Sequence, residues 1–326
     1  MTPAVETARS LTLRFGVDVI SCEAEGSGIS VGLPVPVLWG ATSELIINLP
    51  PGSHGETSRT GEFQILQQLG DLGGVAVCPI DGNLEEASFE CYRTLFALLG
   101  TAHHPYRVWH YVSAINDRVK GLENYQTFNI GRRRAFDDHF GEGAEAQMPA
   151  ASAVGIPSPH FVMAFVAGSG RPRFLENPRQ TPAYHYPQSY GPKSPSFARA
   201  AVTKDLVYIS GTASIRGHET VRVGDIDGQL EVTVENLELL VKELDYDSWE
   251  AVTRQPKYAL KVYLRHATDL PRIQGKLERQ CRAHNHPPHR SLPSGLGPGN
   301  RSGFRTMNGK RSWTWVGPVL DFVVCV

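Results

Sequence analysis

The six residues Ile80-Asp-Gly-Asn-Leu-Glu85 return further along the chain as Ile226-Asp-Gly-Gln-Leu-Glu231, with five of the six letters unchanged. Each copy follows an apolar run with β-branched residues, at 74–80 and at 206–211. Such runs predict strands. The shared phrase and its matching flanks therefore predict that one structural unit occurs twice.

A helical pattern follows each copy of the phrase. Its apolar residues recur at steps of three and four, which places them on one helix face. They are Leu84, Ala87, Cys91, Leu95 and Leu98 in the first copy, and Leu230, Val234, Leu237, Val241 and Leu244 in the second. Another strand-like run comes next, at 107–115 and at 258–264. We interpret this strand, helix, strand unit as an internal duplication; a chance likeness of two α/β units is the alternative.

The first unit continues with two further apolar runs, 151–156 and 160–166, on either side of a Pro-Ser-Pro break. They predict two closing strands around a turn. A segment rich in Pro, Tyr and Ser follows at 171–195 and predicts a linker. We therefore predict an α/β (α+β) protein of two domains, 1–175 and 176–326, each a mixed sheet backed by helices.

Composition excludes several classes of function. The chain has 326 residues, 41% hydrophobic residues and a formal net charge of −1, which indicates no nucleic-acid or anionic-membrane partner. No window approaches the ~20 apolar residues of a membrane span, and the first residues lack the apolar stretch of a signal peptide. The five cysteines form no CxxC pair. We expect reduced thiols and a cytoplasmic location.

The C-terminal tail, 281–326, departs from the repeat. Acidic residues are absent between Glu278 and Asp321, while Arg, His, Pro, Ser and Gly accumulate there. Such a composition does not predict a packed core. One interpretation is a reading frame that shifts near Gln280. The other is that 316–326 supplies the last strand after a long loop.

Three tail histidines, His284, His286 and His289, have a spacing that could suggest zinc. Pro287 and Pro288 lie between them and fit neither a helix nor a strand that presents three ligands, and no fourth ligand is evident. We predict no metal site.

Three stretches combine polar and aromatic residues next to predicted strands: 125–134, 179–199 and 210–219. Arginine suits a carboxylate because its fork donates two parallel hydrogen bonds, and tyrosine offers an apolar plate with a polar tip. Gly211 at a strand end allows a ligand to approach the backbone. These stretches predict a pocket for a small planar or cyclic carboxylate.

A structural interpretation of the same residues stays open. Arg132, Arg133 and Arg134 could form a solvated basic turn, and Tyr184, Tyr186 and Tyr190 could pack the proline-rich linker.

Two longer stretches resemble known families. VYISGTASIRGHETVRVGDIDGQLEVTVENLELLVKEL, at 207–244, resembles the core of the RidA (YjgF) fold. NPRQTPAYHYPQSYGPKSPSFARA, at 177–200, followed by SGTASIRGHE at 210–219, resembles the chorismatases, which have two RidA-like domains in one chain. Some relatives carry an old label as pteridine-dependent oxygenases, and no pterin-specific feature is evident here. The resemblance covers about 70–280.

The resemblance implies that the ligand is chorismate and that its enolpyruvyl ether is cleaved to pyruvate plus a hydroxybenzoate or a dihydroxycyclohexadiene carboxylate, without a cofactor. It implies that Arg199 and Arg132 bind the two carboxylates, and that Tyr125 and Tyr184 shape the pocket and donate hydrogen bonds. It places the remaining lining at Gly211, Thr212, Ala213 and Ser214.

The family's general acid is a glutamate in a closing strand, and the tail as written holds no such strand. Asp321 is the acidic residue that remains available after Glu278. A catalytically impaired chorismate-binding relative is therefore one alternative. The other is a RidA-type enamine or imine deaminase, for which Arg265 is the candidate substrate ligand. The resemblance leaves a monomer and a homo-oligomer equally open.

Overall fold

The computed structural model describes residues 9–25, 28–49, 55–68, 70–204, 206–244, 248–249, 260–281 and 320–324. The helices are α1 (Leu84–Leu99), α2 (Asn124–Phe140), α3 (Ile226–Lys242) and α4 (Leu270–Cys281). The strands of the first half are β1 (Arg9–Phe15), β2 (Ser21–Glu25), β3 (Gly28–Leu33), β4 (Ser43–Leu49), β5 (Glu56–Thr60), β6 (Phe63–Gln68), β7 (Asp71–Pro79), β8 (His104–Ser113), β9 (Arg118–Val119), β10 (Leu122–Glu123), β11 (Ala150–Ile156) and β12 (His160–Gly168). Those of the second half are β13 (Arg173–Leu175), β14 (Ala200–Val202), β15 (Val207–Thr212), β16 (Ile215–Arg216), β17 (Glu219–Thr220), β18 (Leu260–Leu264) and β19 (Leu320–Val324).

A six-stranded sheet forms the centre of the molecule, in the order β11-β8-β12-β7-β6-β5. Strand β12 lies antiparallel between β7 and β8. Its residues alternate between two cores: Phe161 and Met163 face α1 and α2, while Val162 and Ala164 face the opposite side. A strand covered on both faces needs a continuous apolar sequence, which explains the unbroken run of β12.

The opposite face of this sheet is covered by a four-stranded sheet of order β2-β3-β1-β4, in which β1 and β3 run parallel. Leu11, Leu13 and Val31 are fully buried against the central sheet. The sequence analysis did not predict this sheet, because its strands carry no copy of the repeated phrase.

A second sheet, β13-β14-β15-β19-β18, repeats the central arrangement with one reversal. Strand β15 precedes α3 as β7 precedes α1, and β18 follows α3 as β8 follows α1. Strand β19 lies between β15 and β18, the position that β12 occupies between β7 and β8. However, β19 runs parallel to both neighbours, whereas β12 is antiparallel to both of its own.

The interpretation that the tail supplies a strand is thus confirmed for Leu320–Val324. The frame-shift interpretation stays a hypothesis, and His284, His286 and His289 lie outside the described residues.

The repeated phrase enters a helix in both copies, but at different points. In the first copy Ile80, Asp81 and Gly82 precede α1, and the Asn83 side chain caps the helix by accepting a hydrogen bond from the Glu86 amide, 3.1 Å away. In the second copy α3 begins at Ile226, one turn earlier, and the cap is Asp225. An Asn or Asp side chain at the cap satisfies an amide that the helix cannot pair internally.

The predicted strands and helices of both units are confirmed where the structure describes them, and so is the mixed α/β class with sheets backed by helices. The two predicted closing strands exist as β11 and β12, but they flank β8 instead of pairing with each other. The interpretation that Arg132, Arg133 and Arg134 form a solvated basic turn is wrong, because all three belong to α2 and Arg132 is buried. The division into domains at residue 175 stays a prediction. None of the described helices is long and apolar enough to cross a membrane.

Helices α1 and α2 cross in direct contact at Gly131. A Cβ atom at Gly131 would lie 2.0 Å from the Glu85 carbonyl oxygen and 2.2 Å from the Ser88 hydroxyl. The same Ser88 hydroxyl donates to the Phe128 carbonyl across the crossing, at 3.2 Å. Only glycine allows this approach, and the approach sets the position of the neighbouring Arg132.

We expect Gly131→Ala to lower the free energy of unfolding by about 1–3 kcal/mol, because the added methyl group overpacks the helix crossing. Urea unfolding followed by circular dichroism measures the change. Gly143→Ala is the matched control, since a Cβ atom at Gly143 meets nothing within 4 Å. Equal stability of the two variants would contradict the close crossing.

Candidate functional site

The central sheet and the second sheet meet at Ser210. The Ser210 hydroxyl accepts a hydrogen bond from the Ala151 amide of β11, at 2.8 Å, and donates to the Ala198 carbonyl. Ala150 and Ala198 form an additional parallel bridge between the two halves. This seam brings α2 and the 196–199 segment close to each other, so it determines where residues from the two halves can face one ligand.

Arg132 contributes a buried positive charge from α2, with 2% of its surface exposed. Its guanidinium carbon lies 5.6 Å from the centre of the Tyr92 ring and 5.9 Å from that of Phe197. Its Nε and Nη2 atoms have no hydrogen-bond partner among the described residues. A buried guanidinium is costly unless it is paired, so these two donors indicate a position that an anion would occupy.

Tyr92 lies beside Arg132 and is itself hydrogen-bonded to His110. His110 Nδ1 lies 2.7 Å from the Ser152 carbonyl oxygen, and His110 Nε2 lies 2.7 Å from the Tyr92 hydroxyl. Because a carbonyl can only accept, Nδ1 carries the hydrogen and Tyr92 donates to Nε2. Burial and the charge of Arg132 lower the pKa of His110 well below its usual value, which keeps the ring neutral. The Tyr92 oxygen is thereby left to face the guanidinium.

Arg199 contributes the second buried positive charge, with 3% of its surface exposed. Its Nη2 donates to the Thr181 carbonyl at 3.1 Å and to the Tyr186 hydroxyl at 3.0 Å. Its guanidinium carbon lies 5.2 Å from the centre of the Phe197 ring. Phe197 therefore has both Arg132 and Arg199 within 6 Å of its ring. The two arginines that the sequence singled out do meet in one region, from opposite halves of the chain.

Glu176 belongs to the same region, and the sequence analysis missed it. One carboxylate oxygen lies 4.0 Å from Arg199 Nε, and neither oxygen has a hydrogen-bond partner in the described part of the chain. Burial raises the pKa of Glu176 to about 7, although the charge of Arg199 opposes that shift. Its position in the sequence could have drawn attention to Glu176, because it directly precedes the NPRQ stretch that carries the family resemblance.

Several buried polar atoms of this region lack partners at once. Besides the arginine and Glu176 atoms, they include Asn129 Oδ1, Gln180 Oε1 and Ser196 Oγ, again counting only described residues. Each such atom costs about 1–3 kcal/mol if it stays unpaired, and native interiors hold few of them. Asn129 lies one turn before Arg132 on α2, and Ser196 adjoins Phe197 in the chain. Unpaired polar atoms beside buried arginines are typical of a site whose ligand supplies the missing partners.

Tyr184 joins this pocket more closely than Tyr125 does. Burial and the charges of Glu176 and Glu145 raise the pKa of Tyr184. Tyr125 lies at the start of α2, partly buried, with its ring centre 6.4 Å from that of Phe128. Both tyrosines pack against the helix-side core of the central sheet.

The predicted lining at Gly211, Thr212, Ala213 and Ser214 follows the seam along β15 and its end. The Ser214 hydroxyl donates to the Val221 carbonyl at 2.8 Å, which commits it to the local turn. Thr212 and Ala213 are buried. In the strand register Thr212 faces Phe322 of β19, so the tail strand borders this wall. Asp321 lies on β19 opposite Lys261, and its side chain is outside the described part of the structure.

An open cavity on the surface is separate from Arg132 and Arg199. An open cavity of about 610 Å³ lies between the β9–β10 hairpin, Gln126 and the 188–192 segment, and neither arginine lines it. The described residues contain no group of three or more His, Cys, Asp or Glu side chains that could hold a metal ion.

Fold and site together define an α/β protein with two joined sheets and two buried arginines near their junction. Residues 52–167 match the family described as chorismatase FkbO/Hyg5-like, N-terminal. A 3-hydroxybenzoate synthase from Streptomyces hygroscopicus is 36% identical over 211 residues, which are 60% of this chain and 62% of the relative. A chorismatase from Streptomyces rapamycinicus is 35% identical over 220 residues, which are 62% and 64% of the two chains.

The chain thus spans less than two thirds of the length of the curated relatives it matches. Its fold is more broadly shared: a chorismatase crystal structure superposes with a TM-score of 0.72 and 25% sequence identity, over 86% of each chain.

We expect Ser210→Ala to lower the free energy of unfolding by about 1–3 kcal/mol, because the Ala151 amide and the Ala198 carbonyl would both lose their partner in a buried seam. Chemical denaturation measures the loss. Ser189→Ala, at an exposed position, is the control and should change stability little. A neutral result at Ser210 would contradict the role of this seam.

Glu176 makes stability depend on pH. The pKa of Glu176 is about 7 in the folded chain and 4.5 in the unfolded chain. The unfolded chain therefore releases this proton first as pH rises. Stability that is present below about pH 4.5 is therefore lost as pH rises towards 7. We therefore compare the free energy of unfolding of Glu176→Gln with that of the wild type at each pH, by urea unfolding. The difference in favour of the variant should grow by about 1–3 kcal/mol between pH 4.5 and pH 8.

Glu235→Gln is the contrasting variant for that titration. Arg179 and Arg216 lower the pKa of Glu235, so its contribution to stability has the opposite sign with pH. If the Glu176 and Glu235 variants show the same pH trend, the buried acid at Glu176 is not as described.

Proposed function

We propose that this chain cleaves the enolpyruvyl ether of chorismate and releases pyruvate together with a hydroxybenzoate or a dihydroxycyclohexadiene carboxylate. Chorismate has one ring carboxylate and a second carboxylate on the enolpyruvyl group. The observation that carries the proposal is the pair of buried arginines, Arg132 and Arg199, which lie within 6 Å of one aromatic ring and come from the two halves of the chain. The names of the similar proteins support the same substrate class.

In this proposal each arginine binds one carboxylate. Arg132 offers Nε and Nη2 on one edge of its guanidinium, which is the edge that binds a carboxylate in a two-point contact. Arg199 offers Nε, while its Nη2 is held by Thr181 and Tyr186. Phe197 between them provides a flat apolar surface for the ring of the substrate.

The ether is activated by a proton added to the methylene carbon of the enolpyruvyl group. This produces an oxocarbenium-like centre. Water attacks this centre and the resulting hemiketal collapses to pyruvate and the dihydroxycyclohexadiene carboxylate; alternatively, the bond between the ring carbon and the ether oxygen breaks, pyruvate leaves, and loss of a ring proton gives the hydroxybenzoate. The reaction needs no cofactor, because both carboxylates are bound by side chains and the proton comes from an acid. We place the protein in the cytoplasm as part of this proposal, and a monomer and a homo-oligomer both stay open.

We expect purified protein to release pyruvate from chorismate, measured by coupling to lactate dehydrogenase. Arg132→Met and Arg199→Met should each raise KM or lower kcat/KM by about 10–100-fold, because each removes a charge-assisted contact to a carboxylate. Arg173→Met is the control, since Arg173 is exposed on β13. Circular dichroism verifies that the variants fold.

The alternatives predict different results in the same assay. Binding of chorismate without release of pyruvate would indicate an impaired relative. Release of ammonia from an enamine or imine, lost on substitution of the exposed Arg265, would indicate a deaminase. Release of pyruvate that survives both arginine substitutions would overturn the pocket assignment.

A further inference from the structure

The reaction proposed above requires an acid beside the enolpyruvyl group, and this inference rests on that function. The methylene carbon that accepts the proton is two bonds from the carbon of the enolpyruvyl carboxylate. An acid that serves it must therefore lie beside the arginine that binds this carboxylate. Asp321 is the acid that the sequence suggested, but it is opposite Lys261 on the tail strand.

Glu176 has the required position. It follows β13, and the Arg199 amide donates to the Leu175 carbonyl at 2.9 Å, which attaches the two segments directly. One Glu176 carboxylate oxygen is 4.0 Å from Arg199 Nε, too far for a hydrogen bond but close enough to reach a ligand bound by that nitrogen. Within the described ranges both of its oxygens are without a partner.

Two explanations of this geometry differ in what they require. A carboxylate that serves only to balance Arg199 would approach it to hydrogen-bonding distance and would stay ionised. Glu176 does neither: it is held at 4.0 Å, and burial outweighs Arg199 so that its pKa rises to about 7. Burial and the charge of Glu176 in turn raise the pKa of Tyr184. The carboxyl group is thus protonated in a large fraction of molecules near neutral pH.

We propose that Glu176 is the acid that protonates the methylene carbon of the enolpyruvyl group bound at Arg199. The proton leaves the Glu176 carboxyl group, a new C–H bond forms, and the C=C electron pair is used for that bond. The ether carbon becomes cationic and accepts water, which returns one proton to Glu176. The resulting hemiketal then collapses: its hydroxyl proton passes to the ring oxygen, the ether C–O bond breaks, and pyruvate leaves together with the dihydroxycyclohexadiene carboxylate.

The test compares Glu176→Gln and Glu176→Asp with the wild type in the pyruvate assay across pH 5 to 9. We expect Glu176→Gln to lower kcat by about 10²–10⁴-fold with a smaller change in KM, because a general acid contributes about this much to the rate. The alkaline limb of the wild-type kcat profile should disappear in this variant. Glu176→Asp should recover part of the rate and restore a limb, which a purely structural partner of Arg199 would not do.

Two variants sharpen the result. Glu142→Gln, exposed in the 3₁₀ turn after α2, is the matched control and should retain wild-type kcat. Asp321→Asn tests the rival acid: loss of turnover in Asp321→Asn with full turnover in Glu176→Gln would overturn the proposal. Full turnover in Glu176→Gln, with pyruvate still released by the wild type, overturns the role of Glu176 and leaves the proposed function intact.

Calorimetry separates the two ideas if turnover is absent. Binding of the chorismate dianion beside Glu176 should draw a proton onto its carboxyl group near pH 7.5, because a nearby negative charge disfavours ionisation. The binding enthalpy of the wild type should then vary with the ionisation enthalpy of the buffer, and that of Glu176→Gln should not. Binding without proton uptake in the wild type would overturn the assignment of Glu176, whatever the reaction proves to be.

Discussion

The site depends on the seam between the two sheets at Ser210. One hydroxyl group satisfies an amide of the central sheet and a carbonyl of the second half, so the two halves cannot move apart without leaving both groups unpaired in a dry interior. Arg132 comes from one side of this seam and Arg199 from the other, and Phe197 lies within 6 Å of both. The hydrogen bonds of Ser210 that keep the two sheets together therefore also keep Arg132 and Arg199 close to each other.

Two buried arginines in one region are a physical problem that the rest of the pocket addresses in part. Aromatic rings around Arg132, the backbone and phenol contacts of Arg199, and the nearby Glu176 reduce the cost of burying the charges. The partners remain incomplete, since guanidinium nitrogens of both residues lack acceptors among the described side chains. A buried cation with incomplete partners is costly, and an anionic ligand would reduce that cost by supplying the missing acceptors.

The tail strand completes the second sheet in a direction that the first unit does not predict. Strand β19 lies between β15 and β18, as β12 lies between β7 and β8 in the first unit. It is parallel to both neighbours, whereas β12 is antiparallel to both of its own. A strand of either direction can pair with the exposed edges of its neighbours, because both patterns use the same backbone groups. The side chains that such a strand presents depend on its direction and register, so a closing strand does not by itself restore an acid at the site.

The sequence by itself determined the duplicated strand, helix, strand unit, since alternation and helical periodicity are local and both units carry them beside the same phrase. It also singled out Arg132 and Arg199 as candidate carboxylate ligands, because arginine with tyrosine in a chorismatase-like stretch is a recognisable pattern. It did not determine the N-terminal sheet, the crossing at Gly131 or the burial of Glu176 beside Arg199. Each of these depends on which distant residues meet: a glycine is required only where a second helix approaches, and a glutamate becomes an acid near neutral pH only where burial outweighs the adjacent arginine.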